Sequence, residues 1–168
     1  KSLFDIENLL KTGADKIAIN SVIFNNPKLI TEAVKRFGSQ AIVGSLVCRK
    51  HRYSWEAFRD NAKHRTNKNA IEWAKILEDS GVGEIMISSI DSDGLMKGFD
   101  LELVKSITDI IKIPIIASGG AGNSNHIASV INDSQCDAVA VGSLLHYELE
   151  SVGQIKFNLK KQNIKVRI

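Results

Sequence analysis

The apolar residues of this chain alternate between short unbroken runs and longer stretches where they recur at helical spacing. The short runs predict strands over residues 16–20, 41–47, 85–90, 115–118 and 138–141. The spaced stretches predict helices between these strands, including residues 69–80 and 101–110 and a final helix around Val152, Ile155 and Leu159. Alternating strands and helices, with nearly all-apolar strands, are typical of a parallel sheet covered by helices. The predicted fold class is therefore α/β, with about five parallel strands.

Helix ends follow from polar and glycine residues beside the apolar stretches. Ser2 is predicted to cap a first helix whose inner face includes Leu9 and which ends at Gly13. Asn26 followed by Pro27 predicts a second helix start, with a capping side chain before a proline at the first helical position.

Residues 48–68 interrupt this alternation. The segment is polar, with Tyr53, Trp55 and Phe58 spaced along it, and it is predicted to be a hairpin or a long loop. The basic run at residues 49–52 is interpreted as a solvated loop. The alternative is that it helps to hold an anionic substrate.

Length and composition favour one domain, predicted here as residues 1–168. A chain of 168 residues with 43% hydrophobic residues can form a real core. The net charge of +3 is spread along the chain, so neither nucleic acid nor membrane is expected as a partner. Cys48 and Cys136 fit no metal or disulfide spacing, so we expect reduced thiols, a cytoplasmic location, and neither a metal nor a cofactor. Since Lys1 stands in place of a methionine, we expect the chain to be a fragment.

Polar and glycine residues cluster just after the predicted strands, at the edge where parallel α/β proteins bind ligands. The strand at 115–118 runs into Gly119, Gly120 and Gly122, and the last strand runs into Gly142 and Ser143. Glycine leaves backbone N–H groups accessible, so an anion can approach closely. This pattern predicts a site for a phosphorylated small molecule, although a tight turn alone would also explain the glycines.

A second strand end carries Asp91 and Asp93, and such carboxylates can transfer protons. Their spacing also fits the start of a calcium loop, but the later glutamate of that loop is missing and a strand precedes it. We therefore discount calcium.

Several segments in this order resemble the cyclase subunit of imidazole glycerol phosphate synthase, the HisF family of histidine biosynthesis. They are GADKIAIN, FGSQAIV, WAKILEDSGVGEIMISSIDSDGLMKGFDLELV, IPIIASGGAGN and VGSLLHY. The resemblance covers essentially the whole chain and corresponds to the last two-thirds of a family member. It implies a (β/α)8 TIM barrel, present here as an incomplete barrel that begins at the third helix and contains the fourth to eighth strands.

The resemblance also implies a function. A glutaminase partner (HisH-like) makes ammonia, which crosses the barrel and reacts with a substrate that carries two phosphates, giving imidazole glycerol phosphate. Asp93 matches a catalytic aspartate, and Asp91 is expected to orient its loop. The phosphate-binding residues implied by the family are Asn20, Ser21, Ser118, Gly119, Gly120, Gly142 and Ser143. The ammonia entrance and partner interface would include Asp15, Lys16 and Glu84, although a structural ion pair would also explain the last two.

One position departs from the family pattern. The family has an acidic residue at the end of its fifth strand, where this chain has Val47. HisF-like relatives in surface-polysaccharide clusters, which act toward amidated sugars, are therefore an alternative, and residues 63–73 resemble them. A third alternative is a non-catalytic, phosphate-binding half-barrel that associates with itself through open sheet edges.

Overall fold

The computed structural model describes residues 2–167 as strands and helices that alternate along the chain. The strands are β1 (Ile17–Ile19), β2 (Ile42–His51), β3 (Ser54–Arg59), β4 (His64–Asn69), β5 (Glu84–Ser89), β6 (Ile115–Ser118) and β7 (Ala138–Ala140). The helices are α1 (Leu3–Lys11), α2 (Val22–Asn25), α3 (Lys28–Phe37), α4 (Ala70–Asp79), α5 (Leu101–Thr108), α6 (Ser124–Ser134), α7 (Ser143–His146) and α8 (Val152–Lys161). None of the described helices has the length and apolar character needed to cross a membrane.

Five strands form a parallel sheet in the order β1, β2, β5, β6, β7. In the described residues, β1 pairs only with β2 and β7 only with β6, so the sheet is not closed. This arrangement confirms the predicted α/β class with five parallel strands and is compatible with an incomplete barrel.

The segment after the predicted second strand is a hairpin, which confirms the first of the two predicted forms. β2 continues to His51, and β3 and β4 add to it in antiparallel order. The hairpin pairs with residues 47–51, the carboxyl-terminal half of β2, which extend past β1 because β1 pairs only with residues 42–44. It therefore stands beside the edge where the strand-end loops lie.

The two faces of the sheet differ. Gly44 lies on the face covered by α4, where an added Cβ would lie 3.1 Å from Leu77. Strand alternation puts Val47 on the opposite, concave face. The pairing register aligns a row of residues across that face near its carboxyl edge: Val47, Ser88, Ser118 and Ala140.

Between the sheet and its helices lies the hydrophobic core. Its fully buried side chains include Ile42, Leu46, Ile85, Ile87 and Ile115 from the strands and Leu77, Leu103, Ile107 and Ile127 from the helices. This packing fixes the strands and so positions the loops at their carboxyl ends.

Two local predictions were wrong. Leu9 is half exposed, because the α1 face that it occupies borders the open edge beside β1. The Asn26 side chain does not cap α3, whose cap position is Pro27, because the short helix α2 runs directly into this turn.

Candidate active site

A cavity of about 270 Å³ lies at the carboxyl edge of the parallel sheet. Loops after three strands enclose it, and its lining residues are Asp93, Ser118, Gly119, Gly120, Ala121, Ala140, Val141, Gly142 and Ser143. The structure thus brings Asp93 together with five of the seven residues that sequence analysis expected to bind phosphate.

The hydrogen-bond donors at this cavity are backbone N–H groups. In the part of the chain that the structure describes, the N–H groups of Gly119, Gly120, Gly142 and Ser143 have no protein acceptor. Gly119 and Gly120 are also buried. Because buried N–H groups are almost always paired in native proteins, donors gathered around a cavity indicate an anion site.

Backbone conformation and close packing also require glycine at positions 119 and 120, and sequence analysis missed this requirement. Both have positive φ values, 85° and 112°. A Cβ on Gly120 would lie 2.1 Å from the Gly98 carbonyl oxygen, and the Gly98 N–H donates to the Gly120 carbonyl oxygen at 2.8 Å. The glycine loop is therefore packed backbone to backbone against the loop that follows Asp93.

Backbone bonds hold the loop that carries Asp93. The Asp93 N–H donates to the Ser89 carbonyl oxygen at 2.9 Å, and the Asp93 side chain is exposed to the cavity. The Asp91 carboxylate accepts from the Lys50 N–H at 2.8 Å and lies 3.7 Å from Arg49. Asp91 therefore ties the loop to the hairpin, consistent with the orienting role expected for it.

Asp100 is a residue that sequence analysis missed. One of its oxygens accepts from the Trp55 indole N–H at 2.9 Å and from the Ser89 hydroxyl at 3.4 Å. Its other oxygen accepts from the Leu103 N–H at 3.0 Å and so caps α5. One side chain thus joins the hairpin, β5 and α5 beneath the Asp93 loop. An aspartate three residues before an apolar helix position signals the cap, but no sequence spacing reveals the contact with Trp55.

Asn20 and Ser21 lie away from the Asp93 cavity, in a separate cavity of about 390 Å³ beside β1. The Asn20 amide donates to the carbonyl oxygens of Ser45 at 2.9 Å and Phe58 at 3.3 Å. The Ser21 hydroxyl donates to Asn20 and accepts from the Asp60 N–H at 2.8 Å. Both side chains thus hold the hairpin against β1, and their role toward phosphate stays a prediction.

Lys16 and Glu84 form an ion pair at the opposite edge of the sheet, where β1 and β5 begin. Their side chains are 46% and 21% exposed, so the pair is open to solvent. Asp15, which precedes Lys16 in the chain, is exposed. The part of these three residues in an ammonia entrance or a partner interface stays a prediction.

Val47 lies on the concave face, beside the carboxyl edge. It pairs with Ser88 on one side and with Phe58 of the hairpin on the other. A side chain at this position points toward the same face as Ser118, and the valine present there cannot transfer a proton.

The two cysteines lie apart from the cavity. Both are buried, and burial raises the pKa of the Cys136 thiol to about 11 and that of Cys48 further still. Thiols held in their neutral form are poor nucleophiles. Within residues 2–167, no group of three or more His, Cys, Asp or Glu side chains could hold a metal ion.

Comparison with known proteins identifies the family. A family model described as histidine biosynthesis protein matches residues 1–150. The imidazole glycerol phosphate synthase subunit HisF of Bacillus cereus is 40% identical over 168 residues, which are 99% of this chain and 67% of that protein. The subunit HisF of Clostridium botulinum is 39% identical over 170 residues, which are 100% of this chain and 67% of that protein. The chain therefore spans about two thirds of the length of the curated relatives it matches. It belongs to the histidine biosynthesis protein family, in which it is similar to the HisF subunits.

Proposed function

We propose that the chain is part of a cyclase subunit that uses ammonia from a glutaminase partner to form imidazole glycerol phosphate. The observation that carries the proposal is the cavity itself. It sets the Asp93 carboxyl group against unpaired N–H groups from two other strand ends, and so combines a proton-transfer group with an anion site. The reaction is that of the relatives, which are subunits of imidazole glycerol phosphate synthase.

In this proposal the glycine loops fix one phosphate of the substrate. Backbone N–H groups of Gly119, Gly120, Gly142 and Ser143 point toward a negative charge, and fixed donors need little reorganisation when the substrate binds. The anchored phosphate then holds the reacting end of the substrate near Asp93. Positioning the reacting groups in this way uses the binding energy of the phosphate to lower the activation free energy of the reaction.

Asp93 is proposed to transfer protons during cleavage and ring closure. Ring formation by ammonia requires loss of protons from nitrogen and protonation of a leaving group, and a carboxyl group can do both in turn. Backbone bonds to Ser89 and the Asp91–Lys50 contact limit the movement of its loop, so the carboxyl group is held at the cavity.

Ammonia is proposed to enter at the opposite edge, past Lys16 and Glu84. This ion pair is partly exposed, and movement of either side chain would open the concave face from the strands' amino ends. Asp15 beside it would contact the glutaminase.

The test uses this chain joined to the segment that the relatives have and this chain lacks. With ammonia and the histidine-pathway substrate, Asp93→Asn should lower kcat by about 100-fold or more, because asparagine cannot transfer a proton. The matched control is Asp109→Asn, an exposed residue that pairs with Lys105 at the end of α5. Full activity in Asp93→Asn would contradict the proposed role.

A second candidate is the HisF-like activity toward amidated sugars, which the position of Val47 favours. If the chain is a histidine enzyme weakened by this residue, Val47→Asp in the joined protein should raise turnover of the histidine-pathway substrate. If the chain serves another substrate, Val47→Asp should leave that turnover at background. Steady-state assays of the two proteins separate the candidates.

A further inference from the structure

The loop that carries Asp93 is attached to the hairpin on both sides of that residue. Before it in the chain, the Asp91 carboxylate accepts from the Lys50 N–H at 2.8 Å. After it, the Asp100 carboxylate accepts from the Trp55 indole N–H at 2.9 Å. A loop held at both ends by one element must follow the position of that element.

Both attachments come from a single cross-strand pair of the hairpin. Lys50 and Trp55 are direct partners in the ladder between β2 and β3, so their side chains lie on the same face of the sheet. The Lys50 ammonium lies 5.5 Å from the centre of the Trp55 ring and donates to Glu102, in the first turn of α5, at 2.6 Å. This pair therefore contacts the Asp93 loop and also the helix that follows it.

The bond from Trp55 dominates the position of one Asp100 oxygen. Within residues 2–167, the only other donor to that oxygen is the Ser89 hydroxyl, at 3.4 Å. Trp55 is 8% exposed and Ser89 is 2% exposed, so water has little access from either side. A hydrogen bond from a buried donor to a carboxylate is one of the stronger polar contacts in a protein.

Ser89 connects Asp100 to Asp93. Its hydroxyl donates to Asp100, and its carbonyl oxygen accepts from the Asp93 N–H at 2.9 Å and from the Ser92 N–H at 3.3 Å. On the other side, a Cβ added to Gly119 would lie 3.3 Å from both the Asp93 Cβ and the Ser89 carbonyl oxygen. Asp93 is therefore packed between Ser89 and the glycine loop, so a small shift of its loop would change where the carboxyl group meets the cavity.

We propose that Trp55 and Asp100 are positioning residues, whose hydrogen bond holds the Asp93 carboxyl group at the cavity. The indole N–H matters in this proposal, whereas a tryptophan that only packs would need its ring alone. The catalytic consequence rests on the proposed function, but the effect on the Asp93 loop is a property of this chain and can be measured without turnover.

Trp55→Phe tests the bond, because phenylalanine keeps an aromatic ring and lacks the N–H donor. Amide hydrogen exchange of this chain, followed by NMR, should become about tenfold faster at Ser92 and Asp93, the factor expected when one hydrogen bond to a charged group is lost. Trp73→Phe is the matched control. Trp73 is 6% exposed and stacks on Phe24 at 4.6 Å, and in the part of the chain that the structure describes its indole N–H has no acceptor.

A double-variant cycle shows whether Trp55 acts through Asp100. Asp100→Ser keeps a side chain that can cap α5 but is too short to replace the carboxylate at the indole. It should also speed exchange at Ser92 and Asp93, and adding Trp55→Phe to it should cause no further increase, because the bond is already absent.

Steady-state kinetics of the chain joined to the segment that its relatives have supply the second readout. Trp55→Phe should lower kcat about tenfold or more and leave KM within about twofold, because Asp93 is displaced while the glycine loops still hold the phosphate. Trp73→Phe should change neither constant. If the unmodified joined protein is inactive, the proposed function fails, and hydrogen exchange alone then decides whether the hairpin holds Asp93.

Three results would overturn the proposal. The first is exchange at Ser92 and Asp93 that is the same in Trp55→Phe as in the unmodified chain. The second is an equal increase in Trp55→Phe and Trp73→Phe, which would show a general loss of stability. The third is an unchanged kcat for Trp55→Phe in an active joined protein.

Discussion

At the residue scale, glycines that look alike in the sequence have different physical roles. Gly120 must be glycine because the Gly98 carbonyl oxygen occupies the space of a Cβ, whereas Gly142 has no atom within 4 Å of that position. Only Gly142 can therefore report on charge at the cavity without disturbing the backbone. Sequence spacing alone does not separate these roles, since both glycines follow a strand.

Replacing Gly120 by alanine should destabilise the fold by about 3 kcal/mol or more, because a strained φ is combined with a backbone clash. The control is Gly13→Ala, where φ is 106° but no atom lies within 4 Å of the added Cβ. That variant should lose only about 1–2 kcal/mol, the cost of the backbone conformation. Chemical denaturation measures both values, and equal losses would show that the contact with Gly98 is unimportant.

At the element scale, Asp100 links three elements that sequence analysis treated separately. Asp100→Ala should cost about 2–3 kcal/mol, because it removes the cap of α5 and leaves the indole N–H of the buried Trp55 without an acceptor. Asn123→Ala is the control, since Asn123 caps α6 through a single bond to the His126 N–H. It should cost about 1 kcal/mol. Similar losses in the two variants, measured by chemical denaturation, would argue against the Trp55 contact.

The hairpin should show a pH-dependent stability through Glu56. Its pKa is lower in the folded chain than in the unfolded chain, so the Arg65 contact stabilises the fold at neutral pH. This stabilisation is lost as the pH falls through the folded-state pKa of Glu56. Arg65→Gln should therefore lower the denaturation midpoint at pH 7 and have little effect at strongly acidic pH.

Lys105→Gln is the matched control for that experiment, because Lys105 pairs with Asp109 and both side chains are more than half exposed. Exposed pairs contribute little, so its effect at pH 7 should be smaller than that of Arg65→Gln. An Arg65→Gln effect that is the same at both pH values would show that the Glu56 charge is not its cause.

At the scale of the whole molecule, the sequence predicted the fold better than it predicted the side-chain contacts. Hydrophobic runs located all five parallel strands, because buried parallel strands are apolar on both faces. Half exposure of Leu9 was not predictable from periodicity, since it depends on which sheet edges are covered. For the site, strand-end glycines and Asp93 could be found in sequence, but the contacts of Asp100 with Trp55 and Ser89 depend on pairing between distant segments.

Within residues 2–167, β1 and β7 each have one unpaired edge, and a protein of these 168 residues alone should associate with itself through them. Unpaired strand edges accept further strands, and the half-exposed Leu9 lines a cavity beside β1 together with Ile17. Sedimentation velocity should therefore detect dimers or larger species, and Ile17→Lys on β1 should reduce them. A folded chain that stays strictly monomeric at all concentrations would exclude this behaviour.

The central claim is that the cavity beside Asp93 binds a phosphate group through backbone donors. Its most direct test is the affinity of this chain for inorganic phosphate, measured by the amide shifts of Gly119 and Ser143 in the Gly142→Asp and Gly142→Ala variants. Neither substitution meets a steric obstacle, so the two differ in charge. Gly142→Asp should bind phosphate at least tenfold more weakly, while the affinity of Gly142→Ala should stay close to that of the unmodified chain. Equal affinity in the two variants would contradict binding at this cavity.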